Sequence, residues 1–64
     1  MSQSDSLIEL VQGTCRALTG QFEEALPGLP WSDQLRDVVA RDLEAEIGPA
    51  VARVAEALVA AAQP

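Results

Sequence analysis

The stretch Leu26-Pro27-Gly28-Leu29-Pro30-Trp31 decides how this chain folds. It lies between two long segments whose apolar residues recur with helical spacing. Pro30 has no N–H and a fixed φ, so it cannot continue a helix from Leu26 but can open a new one. Pro27 steers Leu26 out of the α region and ends the first helix nearby. Gly28 can adopt a left-handed conformation at little cost, which suits a turn or a helix terminus. The chain therefore turns back here and places its only tryptophan at the corner. Leu29 and Trp31 flank Pro30 and are too apolar to leave in water, which predicts that they plug the end of a helical hairpin. The competing reading is that Trp31 is an exposed anchor for a partner, since tryptophan is enriched where binding energy concentrates.

Upstream of the corner, residues 1–5 read as a polar tail and residues 7–26 as the first helix. Ser6 stands before Leu7-Ile8 with Glu9 three positions on, the pattern of a capping box. Ser4 is a competing cap. At 100° per residue, Leu7, Ile8, Val11, Cys15, Leu18, Phe22, Ala25 and Leu26 fall in one stripe about 120° wide. Leu10 lies off this stripe and is a candidate for exposure or for contact with a second protomer. Gly13 and Gly20 lie on the polar face, where each costs roughly 1 kcal/mol against alanine. They are either tolerated weak points on a solvated face or a smooth strip for another backbone.

Downstream, residues 27–30 form the turn, and a second helix spans 31–47, opening at Pro30 or after Ser32. Ser32 and Asp33 suit a first turn. Leu35, Val38, Val39 and Leu43 share a face, and Asp37 with Arg41 makes a favourable i,i+4 pair. Asp33 with Asp37, and Asp42 with Glu46, are like-charge pairs that oppose it. Gly48-Pro49 predicts a kink or a stop, because Pro49 removes the hydrogen bond to the Ala45 carbonyl and clashes with it. The apolar direction also turns by roughly 100° between Leu35-Val38-Val39 and Ile47, Val51, Val54 and Leu58. A third helical segment is therefore expected over 49–62, with Val51, Val54, Ala55, Leu58 and Ala62 in its core. The fold class is all-α: a single domain over 1–64 of two to three helices, completed by dimerisation into a small bundle.

Composition narrows the function classes. The net charge is −6, with no lysine and four scattered arginines, which disfavours nucleic acid and anionic membranes, both of which are bound through clustered basic side chains. A chain of 64 residues buries a modest fraction of its surface and is marginal alone. With no disulfide framework or metal site in view, self-association is the simplest way to finish its core. Cys15 is the single cysteine, so no internal disulfide can form, and burial in the core is its simplest role. No basic-plus-apolar leader stands at the start, and the apolar stretch near the C-terminus is interrupted by Arg53 and Glu56. These features predict a cytoplasmic protein, and the alanine-rich, lysine-free composition a bacterial one.

Chemistry for catalysis is sparse. Histidine is absent, which removes the commonest general base and zinc ligand. One cysteine cannot make a zinc site, and no phosphate-cradling loop, calcium loop or nucleophile elbow occurs. No enzyme activity and no cofactor or metal is expected. Asp5-Ser6-Leu7, Glu9-Leu10 and later Leu26-Pro27 resemble the attachment motif and second helix of acyl carrier proteins, where the serine would carry phosphopantetheine. The match covers about a third of the chain, and such domains need a helix well upstream of the serine, so no role is carried over. In length and helix layout the chain is similar to the ROP-type RNA-binding hairpin dimer, but without a shared motif or a basic face.

The expected function is a non-catalytic, acidic, helical protein–protein interaction or adaptor module that binds a copy of itself or a larger protein. Leu10, Val11, Leu18, Phe22, Trp31, Leu35, Val54 and Leu58 are the candidate partner-binding residues. Two other readings are an acidic inhibitor, antitoxin or nucleic-acid mimic that occupies a basic site, and a precursor or leader peptide for a modifying enzyme. Salt-sensitive binding distinguishes the first, and a free chain without helix the second.

Overall fold

The computed structural model describes residues 3–63, with side chains from residue 5 onward. Two helices, α1 over Gln3–Ala25 and α2 over Asp33–Ala62, pack against each other as a hairpin measuring 49 × 21 × 16 Å.

The corner forms as its residues dictate. The Leu26 N–H still donates to the Phe22 carbonyl at 2.8 Å, so α1 ends within a residue of the expected 26. The Leu26 carbonyl then accepts from the Leu29 N–H at 3.4 Å and from Trp31 Nε1–H at 2.7 Å. An orphan carbonyl at the end of α1 is thus satisfied by the tryptophan that the turn folds back over it. Trp31 is half-buried. Gly28 does this without a left-handed conformation, since no glycine among the described residues has positive φ.

Helix α2 opens after Ser32, the later of the two expected starts and two residues beyond the bound of 31. Ser32 is its N-cap, with extended backbone (φ −152°, ψ 169°), and its Oγ accepts from the Leu35 N–H at 3.1 Å. Such a cap contributes about 1 kcal/mol. The prolines at 27 and 30 stay outside both helices, where their missing N–H groups cost nothing.

Two expectations are corrected. The third helix over 49–62 does not exist as a separate element: α2 runs unbroken through Pro49. A proline in a helix interior costs about 3 kcal/mol, and packing against α1 on both sides outweighs it. Gly48 before Pro49 and Ala55 after it are both buried, so the segments flanking the proline are held against the same neighbour. At the other end, α1 is already helical at Gln3, so Ser6 and Glu9 lie inside the helix rather than forming a capping box at its start. Met1 and Ser2 of the expected tail lie outside the described residues.

Candidate functional site

The seam between the helices is built from small residues. Among the described residues, Cys15 (0% exposed) and Ala55 are the buried apolar side chains, and Thr19 and Gly48 are buried beside them. Thr19 is tolerated because its Oγ1–H donates to the Cys15 carbonyl at 2.8 Å, within its own helix. Gly48 marks the closest approach: a Cβ there would stand 3.3 Å from Val11 Cγ1. Gly13 and Gly20 instead face open space, with nothing within 4 Å of a Cβ. Of the two readings the sequence allowed, the hairpin itself does not use them as a strip for close packing.

Facing residues keep a constant antiparallel register: Val11 opposite Gly48, Cys15 near Glu44, Glu23 opposite Arg36. Arg36 clamps Glu23 with both nitrogens, Nη2 at 2.6 Å and Nε at 3.2 Å from Oε1, and reaches Asp33 Oδ1 with Nη1 at 3.0 Å. The hydrogen bonds from Arg36 hold the Glu23 carboxyl below the usual carboxylate range, and Glu23 in turn raises the guanidinium. The expected Asp37–Arg41 ion pair does not form. Arg36, five residues earlier, is paired instead, with Glu23 across the seam and Asp33 on its own helix. Burial pushes the Cys15 thiol up, and the Glu44 carboxylate adds to the effect.

Large apolar side chains are displaced from this narrow seam to its flanks. Leu10, Ala50, Val54 and Leu58 line a shallow groove near the open end of the hairpin. Phe22, Leu26, Leu29, Trp31, Val39 and Leu43 line another at the corner. At 100° per residue, Val39, Leu43, Ile47, Ala50, Val54 and Leu58 fall within a stripe about 100° wide on α2, so both grooves open on one face. The opposite flank is different. Its apolar groove, lined by Leu7, Ile8, Val11, Pro49 and Ala52, gives way to a polar stretch of Gln12, Arg16, Asp37, Arg41 and Glu44.

The eight candidate residues divide accordingly. Val54 (60% exposed), Leu58 (66%), Leu10 and Phe22 are exposed, whereas Val11, Leu18, Trp31 and Leu35 are half-buried. Leu10, Val54 and Leu58 come together in one groove, and Phe22 and Trp31 in the other. Val11 belongs to the seam and to the opposite flank. Sequence reasoning missed Thr19, Gly48 and the Glu23–Arg36 pair. The available signal was distance from the corner, since residues equally far from it along the two arms face each other.

No group of His, Cys, Asp and Glu among the described residues is arranged to hold a metal ion, and no helix is long and apolar enough to cross a membrane. The chain matches no family model, no curated protein and no solved structure.

Proposed function

We propose that this chain is a non-catalytic, acidic, cytoplasmic interaction module that acts through the apolar face spanning the two grooves, pairing with a copy of itself or with a larger protein. One observation carries the reading. The hairpin buries small residues in its seam while Leu10, Phe22, Leu26, Leu29, Val54 and Leu58 stay exposed along the two grooves of one face. Contiguous apolar surface of this kind marks interaction sites in soluble proteins. Pro49, with no N–H to donate, is the point at which α2 would bend to follow a partner. The absence of histidine and the scattering of the arginines support a role without catalysis or nucleic acid.

Light scattering on size-exclusion fractions over a wide concentration range, with circular dichroism on the same samples, tests the reading. A helical species of twice 6.8 kDa or more is expected. A species that stays a helical monomer at every concentration refutes self-association, and a chain without helix refutes the folded module.

A further inference from the structure

Resting on that reading, we infer that the occupant of the apolar face is a second copy of this chain, stacked antiparallel so that the corner groove of each protomer meets the open-end groove of the other.

The exposed area argues for a second copy. A globular monomer of 6.8 kDa is expected to expose about 4,000 Å² by the surface scaling of folded proteins, whereas this hairpin exposes 4842 Å². The excess is on the order of 900 Å², and a stable interface of standard size buries about 800 Å² per partner. One self-complementary contact therefore brings each protomer to the surface of an ordinary folded chain. The radius of gyration agrees, at 14.0 Å against about 11 Å for a compact chain of this length. The face between the two grooves is the one that can close such a contact. Along α2, Leu43, Ile47, Ala50 and Val54 keep the 4-3-4 spacing of a helix-packing seam. The opposite flank is interrupted by Arg16, Arg41 and Glu44.

Shape and charge argue for the antiparallel stacking. The corner groove carries the bulk of Phe22, Leu29 and Trp31, and the open-end groove is floored by Ala50 and Ala55. A two-fold axis between Ile47 and Gly48 sets the aromatic rings of each corner groove against the aliphatic Leu10, Val54 and Leu58 around Ala50 of the partner's open-end groove, at both ends at once, as an isologous interface requires. Asp42 and Glu46 rim the corner groove as a like-charge i,i+4 pair. Neither makes an ion pair among the described residues, and nor does Arg53. Arg53 lies as far beyond the axis as Asp42 lies before it, and within about 20° of it around α2. Antiparallel stacking therefore brings the arginine of each protomer to the acids of its partner. Parallel stacking leaves those acids uncompensated beside the partner's α1.

The test is sedimentation equilibrium of the wild type, Asp42→Arg, Arg53→Asp and the double variant carrying both changes, with circular dichroism confirming helix in each. The substituted side chains are exposed, and two symmetric rim pairs at typical surface strength correspond to about fivefold in the dimer dissociation constant. Each single reversal is expected to weaken the dimer by about that factor, and the double variant to return to within about twofold of wild type. A wild-type dimer in which the two reversals simply add overturns the antiparallel stacking and leaves association through the apolar face standing. A monomeric wild type overturns both.

Discussion

Replacing Gly13 and Gly20 with alanine should stabilise the hairpin, and replacing Gly48 should not. All three sit inside helices, so each substitution removes the backbone entropy cost of glycine, worth about 1 kcal/mol per site. At Gly13 and Gly20 a Cβ meets nothing within 4 Å, so the gain is offset by no strain. The two sites lie about 10 Å apart along the axis and share no partner, so their effects add. The double variant is expected to gain about 2 kcal/mol, or roughly 10 °C in melting temperature for a domain of this size. At Gly48 the same propensity gain is opposed by contact with Val11 Cγ1 at 3.3 Å. Val11 borders an open groove and can yield by a few tenths of an ångström, so the alanine variant should fall within about 0.5 kcal/mol of wild type. A larger residue such as leucine at 48 must wedge the helices apart.

Thermal melts followed by circular dichroism at one fixed protein concentration give these differences. The concentration is fixed because association shifts the midpoint by mass action. Two results would refute the reasoning. A lower midpoint for the Gly13→Ala, Gly20→Ala variant would mean that another surface covers the glycine face. A Gly48→Ala variant stabilised as much as Gly13→Ala would mean that the helices do not approach closely at Val11.

Two further predictions concern the corner. Trp31→Phe keeps an aromatic ring but removes the Nε1–H that caps the Leu26 carbonyl. It should lower stability by about 1 kcal/mol, and an unchanged melt would show that the indole N–H contributes nothing. Glu23→Gln should flatten the acid limb of stability. The folded-state pKa of Glu23 is depressed by Arg36, so its contribution is complete above the unfolded value of about 4.3 and is lost as pH falls through the folded value. Urea melts from pH 6 downward should therefore show wild type losing its advantage over Glu23→Gln below about pH 4.3, and a constant difference across that range would remove the salt bridge from the account.

What was legible in the sequence was what local chemistry controls. The corner could be read because Pro27 and Pro30 act on their own backbone, and the Ser32 cap because a serine before an acidic first turn acts on the next three residues. Of the expected α1 stripe, Cys15 is buried and Leu7, Val11 and Leu18 are half-buried, whereas Ile8, Phe22, Ala25 and Leu26 are exposed. Whether α2 stops or continues at Gly48-Pro49 was left open by the sequence, and the structure keeps one helix. At Pro49 the local rule and the tertiary packing disagree, and the packing partner of the buried Gly48 and Ala55 is α1, which is far away in sequence. Gly48 is ambiguous in the same way. A glycine before a proline looks like a helix terminus, yet here it is the thin place that lets α1 come close. The candidate site was legible in its residue types and not in its grouping, because which of Leu10, Val11 and Leu18 faces outward depends on where α2 lies.

The small residues in the seam and the large ones outside it have one cause. Cys15, Thr19, Gly48 and Ala55 let the two axes approach closely, and close axes leave no room between them for leucine or phenylalanine. Large side chains next to such a seam are pushed to its rim, at both ends of one flank and, as Leu7, Ile8 and Val11, at the open end of the other. On the flank with Arg16, Arg41 and Glu44, water solvates the rim. On the other flank the rim is Leu10, Phe22, Leu43, Val54 and Leu58, and water there is in contact with hydrocarbon. Enlarging the seam would not cure this, because a wider seam would still have two sides. A second apolar surface laid on that flank would, and it would make the exposed leucines and valines the centre of the fold rather than its edge.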